Sequence, residues 1–137
     1  MTAFVLDAST VLGWMLDRPV PAHASQARSL IIAGTTPVVP DLWRLEVSNA
    51  VIIAERRGRL TAVQAGTLAA DLEEFSQVVE VDSLRVRVPV LIEMARRTHL
   101  TAYDAAYLEL ASRRRLPLAT LDIKLREAAR SAGLALI

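Results

Sequence analysis

The chain opens Ala3-Phe4-Val5-Leu6-Asp7-Ala8-Ser9, a short apolar run that stops on a carboxylate. Apolar residues without polar alternation suit a strand covered on both faces, as in a parallel sheet. Similar runs recur at Thr36–Val39, Val78–Val81 and Leu116–Thr120, and Ala132–Ile137 reads as a fifth. Amphipathic stretches fill the gaps, at Ser9–Leu16, Ala22–Ala33, Leu42–Arg57, Ala62–Ser76, Pro89–Thr98, Ala102–Arg114 and Ile123–Ser131. Asp41 and the pairs Thr61-x-x-Gln64 and Thr101-x-x-Asp104 mark helix starts. Gly58 and Gly133 mark helix ends, and Pro89 suits a first helical position. Strands alternating with helices predict one α/β domain over residues 1–137, a three-layer α/β/α sandwich with a five-stranded parallel sheet.

Composition narrows the chemistry. Of 137 residues, 53% are hydrophobic, and the mean hydropathy is +0.32. That is ample for a core and high for a lone domain, so a covering partner or a homodimer is expected. The net charge is +1, which excludes a broadly basic coat. Lys124 is the one lysine among the cations; all others are arginines. There is no Cys, so disulfides, Cys-ligated metals and a thiol nucleophile are excluded. Imidazole chemistry is limited to His23 and His99. The longest uncharged run, Ser29–Pro40, is too short and too broken for a membrane span. The N-terminus carries Asp7 where a signal peptide would be apolar, so a cytoplasmic protein is expected.

Four carboxylates stand out by position. Ligands of open parallel sheets collect at the carboxyl ends of the strands. Asp7 ends the first strand, and Asp122, in Thr120-Leu-Asp122, follows the fourth, so the two could share an edge. On a helical projection, Glu46 falls with Leu42, Ala50 and Ile53, opposite Arg44, Ser48 and Glu55. Asp104 falls with Leu108 and Ala111, opposite Glu109 and Arg113. A carboxylate on an apolar stripe is costly unless it is paired or ligates a metal. Each acid has a plainer reading: Asp7 and Asp122 as N-caps, Asp104 in a capping box, Glu46 in a buried ion pair with an arginine. Those readings take the residues singly and leave the set unexplained. Without Cys and with two His, the chemistry open to the set is oxygen ligation of Mg²⁺ or Mn²⁺. Carboxylates 4 Å apart repel by about 1 kcal/mol per pair even at water-like screening. A divalent cation removes that conflict and draws charge from a phosphoryl oxygen, which suits phosphodiester hydrolysis.

Taken together, Asp7-Ala-Ser9, Glu46-x-x-Asn49, Tyr103-Asp-Ala-Ala-Tyr-Leu108 and Thr120-Leu-Asp122 resemble the PIN-domain family, and more narrowly the VapC toxins of toxin–antitoxin pairs. The resemblance runs over essentially the whole chain. It implies a metal-dependent endoribonuclease leaving 5′-phosphate and 3′-hydroxyl ends, with Mg²⁺ or Mn²⁺ held by Asp7, Glu46, Asp104 and Asp122. It further implies support from Ser9, Asn49 and Thr120, and a small antitoxin that covers a groove, in a higher assembly of toxin and antitoxin. Lys124 stands where a basic residue usually follows the last acid. Arg56, Arg57, Arg96 and Arg97 are candidate RNA contacts, with Arg59 and Arg113 to Arg115 behind them. All lie near helix C-termini, where a cation also complements the helix dipole. His99 reads as the end of its helix, and Trp14 and Trp43 as packing residues.

Two rivals are weaker. A haloacid-dehalogenase-like phosphatase needs a second acid where Ser9 stands, and a phosphoaspartate receiver needs adjacent acids after its first strand. A non-catalytic RNA-binding module would not need the full acid set.

Overall fold

The structure is a computed structural model describing residues 1–137. Four strands, β1 (Ala3–Leu6), β2 (Thr36–Pro40), β3 (Glu80–Asp82) and β4 (Leu118–Ala119), form one parallel sheet in the order β3-β2-β1-β4. Val5 is in register with Val38 on one side and Leu118 on the other, and Val38 with Glu80. The fifth strand read from the sequence is reduced to a single bridge between Leu118 and Leu136. There Leu118 N–H donates to Ala135 O (3.0 Å) and Ile137 N–H donates to Leu118 O (3.1 Å). With only two residues in β4 before the chain turns away, the ladder has no room to lengthen.

Seven helices complete the chain: α1 (Ala8–Leu16), α2 (Ala22–Ile32), α3 (Trp43–Arg56), α4 (Ala62–Phe75), α5 (Val88–Thr98), α6 (Ala102–Arg114) and α7 (Ile123–Ser131). The crossovers β1-β2 and β2-β3 step in one direction along the sheet, and β3-β4 steps back past β1. Right-handed crossovers then put α1 to α4 on one face and α5 to α7 on the other. The packing agrees: α1 touches α2 and α3, and α3 touches α4. On the other face, α6 touches α5, α7 and strands β1, β2 and β4.

The core lies between these layers. All four residues of β1 are buried, as a doubly covered strand requires. Trp14 and Trp43 are both buried and both meet Phe75, at ring-centroid distances of 5.5 and 6.0 Å. Gly13 sits at a close approach of α1 and α2, where a Cβ would lie 3.2 Å from Ala24 Cβ and 2.6 Å from the movable Leu121 Cδ1. Two local expectations change. Leu42, not Asp41, occupies the cap of α3, with no side-chain cap bond. That helix buries Trp43, Val47, Val51 and Ala54, so Glu46 flanks the buried face and is only half-buried. No helix is long and apolar enough to cross a membrane.

Candidate active site

The direction of strand succession reverses between β1 and β4, which opens a crevice at their carboxyl ends. Asp7 leaves β1 at that point, and its N–H donates to Ala119 O (3.0 Å). The residue is 5% exposed. Ser9 Oγ donates to Asp7 Oδ2 at 2.6 Å, and Thr120 Oγ1 donates to the same oxygen at 2.7 Å. The two hydroxyls also accept from the backbone, Ser9 from Leu121 N–H (3.0 Å) and Thr120 from Asp122 N–H (3.1 Å). The turn after β4 is thereby tied to the turn after β1. Asp7 occupies the cap position of α1 yet makes no side-chain cap bond, so capping does not account for its burial.

The other acids enter from three helices. Asp122 caps α7, with Oδ1 accepting from Leu125 N–H at 2.8 Å. Asp104 lies in the first turn of α6. Thr101 Oγ1 accepts its N–H at 3.1 Å, but the reciprocal bond of a capping box is absent. Glu46 reaches across from α3 and accepts the Tyr107 hydroxyl on Oε1 at 2.5 Å. No arginine pairs with it, so the ion-pair reading falls. Throughout the set, the protein occupies at most one oxygen of each carboxylate. Asp7 Oδ1, Glu46 Oε2 and Asp122 Oδ2 accept no protein hydrogen bond, and the Asp104 carboxylate is met by the Thr101 hydroxyl alone.

Electrostatics links the group. Burial pushes the Asp7 carboxyl above its ordinary value; the Ser9 and Thr120 hydroxyls oppose this, and the charges of Asp104 and Asp122 add to it. Burial likewise raises Glu46, opposed by Tyr107 and reinforced by Asp7 and Asp104. Asp104 is raised by burial and then by Asp122. No three of these side chains come close enough to hold one ion as they stand. Like-charged groups facing one another across a crevice favour that separation. The donor set nevertheless fits Mg²⁺ or Mn²⁺, being all carboxylate, with an uncommitted oxygen on every member.

The remaining sequence candidates separate. Ser9 and Thr120 join the cluster through Asp7. Asn49 is exposed and has no hydrogen bond to Glu46. Arg56 and Arg57 are exposed at the end of α3, and Arg57 lines a groove with Ser9. Arg96 pairs with Glu93 (3.2 Å), whereas Arg97 is exposed and unpaired. Arg113 is occupied by Glu109 (2.7 Å) and Asp82 (3.0 Å), and Arg114 by Glu80 (2.6 Å), which draws both into a tether between α6 and β3. Glu109, placed on the solvated face by periodicity, is 8% exposed because α6 is covered on several sides. Tyr107 is the site residue that sequence reasoning left without a role. Its position one turn after Asp104 was the available signal.

Comparison with known proteins extends this. A model of the PIN domain matches residues 4–131. The chain is 34% identical over 124 residues to Ribonuclease VapC3 of Pyrobaculum aerophilum, covering 90% of this chain and 92% of that protein. Among solved structures it is similar to PAE2754 from Pyrobaculum aerophilum, with a TM-score of 0.74, 21% identity, and 98% and 89% of the two chains covered. It is also similar to FitAcB from Neisseria gonorrhoeae, with a TM-score of 0.65, 17% identity, and 98% and 96% covered. The family match takes in β1 at one end and α7 at the other, and so encloses all four acids of the crevice: the chain belongs to the PIN-domain family.

Proposed function

We propose that this protein is a divalent-metal-dependent endoribonuclease, using Mg²⁺ or Mn²⁺ to hydrolyse RNA phosphodiester bonds. The observation that carries this reading is the set of uncommitted oxygens on Asp7, Glu46, Asp104 and Asp122 around one crevice. The ribonuclease name of the curated relative supports it. Asp7, Asp104 and Asp122 would hold the cation, with Glu46 closing the site. When bound, the ion supplies Lewis-acid charge at a phosphoryl oxygen and a water of lowered pKa.

The chain's own residues supply position. Ser9 and Thr120 fix Asp7 by one oxygen and leave the other available. Tyr107 does the same for Glu46, and the cap of α7 does so for Asp122. Neither imidazole hydrogen-bonds any of the four acids, so proton handling falls to carboxylate and water. Single-stranded RNA incubated with the purified protein should be cleaved with Mg²⁺, spared in EDTA, and spared by Asp7→Asn. Cleavage that persists in EDTA would overturn the reading. Metal-stimulated RNA binding without cleavage would favour a non-catalytic module instead.

The biological role proposed with it is the toxin of a VapBC-type pair, cytoplasmic, held by a small antitoxin and assembled as a homodimer. Unpartnered apolar surface supports a covering partner. Helix α5 buries no residue and exposes Val88, Val90 and Ile92, and Leu45 on α3 is 75% exposed. Co-purification with the product of an adjacent short reading frame, with inhibition of cleavage, is the expected result.

A further inference from the structure

The cations of the chain divide into occupied and free. Arg44, Arg59, Arg96, Arg113 and Arg114 are held in ion pairs, and Arg126 donates to the carbonyl oxygens of Thr120 and Ile137. Arg97, His99 and Lys124 are exposed and make no ion pair. All three line one groove of about 690 Å³ where α5, α6 and α7 meet. Its single acidic lining residue is Glu127.

None of the four acids lines the groove, but its wall on α6, Leu108 and Ser112, continues the helix face that begins at Asp104. Lys124 follows Asp122 by two residues, and His99 precedes by two the Thr101 that caps Asp104. The α6 wall descends past Leu108 to Ser112, about 12 Å beyond Asp104 at 1.5 Å per helical residue. His99 sits at the mouth in the left-handed region, φ 59°. Arg115 ends α6 in the same region, and asparagine is tolerated there as well, so the imidazole can be replaced without moving the backbone. The groove on the opposite side, beside Ser9, has Arg57 and Arg59, but Arg59 faces Asp17 at 3.5 Å.

We propose that the groove between α6 and α7 holds the single-stranded RNA flanking the scissile bond, with Arg97, His99 and Lys124 on its phosphates. This rests on the ribonuclease reading. Phosphate contacts set register and affinity and carry no sequence information. Removing them should therefore weaken all RNAs alike and leave the chemical step intact.

The test is Arg97→Ala with Lys124→Ala, both exposed positions. Cleavage should show a raised KM with kcat unchanged. Binding of a fluorescein-labelled oligouridine is then followed against salt in the Asp7→Asn background. The slope of log affinity on log salt should fall by about 1.4, at about 0.7 per single-strand phosphate contact. His99→Asn keeps the backbone conformation and should weaken binding further. Arg57→Ala should leave the slope as it is. An unchanged slope in the double variant, or a loss that appears with Arg57→Ala instead, overturns the groove while RNA cleavage by the unaltered protein stands. Absence of cleavage together with the expected slope change overturns the nuclease reading and retains the groove.

Discussion

The hydroxyl of Tyr107 on α6 donates to Glu46 Oε1 on α3 at 2.5 Å, from a side chain with no exposure to solvent. Burial and the negative charges of Asp7 and Glu46 push the phenol far above its ordinary value, so it stays a donor. The bond crosses the edge of the sheet and sets where the Glu46 carboxylate can stand.

Tyr107→Phe retains the ring and removes the bond. The expected loss of stability is about 1 kcal/mol, that of a typical net hydrogen bond. Cleavage should fall by about tenfold or more, as when groups orienting metal ligands are removed. Mn²⁺ titration by calorimetry should show weaker binding by the same variant. Unchanged Mn²⁺ affinity and unchanged kcat would make the bond purely structural.

Asp7 is expected to destabilise the fold while it enables the site. Its folded carboxyl is raised above the ordinary 3.8. A raised acid binds protons more tightly in the native state, so its effect on stability worsens as pH rises from that ordinary value through the folded one. In EDTA at neutral pH, Asp7→Asn should therefore melt higher than the unaltered protein, and the gap should close as pH falls towards 4. Added Mg²⁺ should raise the melting temperature of the unaltered protein and leave that of the variant nearly unchanged.

Thr120 serves two partners with one hydroxyl, donating to Asp7 and accepting from Asp122 N–H. Thr120→Val keeps the shape, strands the Asp122 N–H and leaves the buried Asp7 Oδ2 with Ser9 as its one donor. A loss of about 2 kcal/mol in urea unfolding is expected, with cleavage abolished. Thr120→Ser keeps the hydroxyl and should retain most of both. Equal behaviour of the two variants would refute this account.

A separate pH effect belongs to the tether between β3 and α6. The Arg113 hydrogen bonds hold the Asp82 carboxyl below its ordinary 3.8. A lowered acid stabilises the fold above that value, and the contribution is lost as pH falls through the folded value. Arg113→Ala should cost about 1 kcal/mol at pH 7, and the difference from the unaltered protein should shrink near pH 3. Urea unfolding at the two pH values measures it. A cost that is independent of pH would assign the effect to lost packing.

The acids at strand ends were legible as candidates because a short apolar run that stops on Asp is a local signal, as at Leu6-Asp7. The capping box Thr61–Gln64 was legible for the same reason and forms with both of its bonds. Glu46 was legible as a site candidate but for an incomplete reason. Periodicity placed it on the stripe with Leu42 and Ile53, whereas α3 turns Trp43, Val47 and Val51 inward. Helical spacing says which residues share a face; it does not say which face its neighbours will cover.

From the sequence alone came the layer order, the parallel sheet and four candidate carboxylates, because apolar runs, amphipathic stretches and the acids set at their ends and on their faces are each local patterns. The tertiary structure decided that the fifth strand is a single bridge, since β4 ends after Ala119. It decided that Tyr107 serves Glu46 across 61 residues and Thr120 serves Asp7 across 113. It also divided the cations, taking up Arg113 and Arg114 with β3 and leaving Arg97 and Lys124 unpaired in one groove. Pairings at such separations depend on how the layers close over the sheet, and no local spacing encodes them.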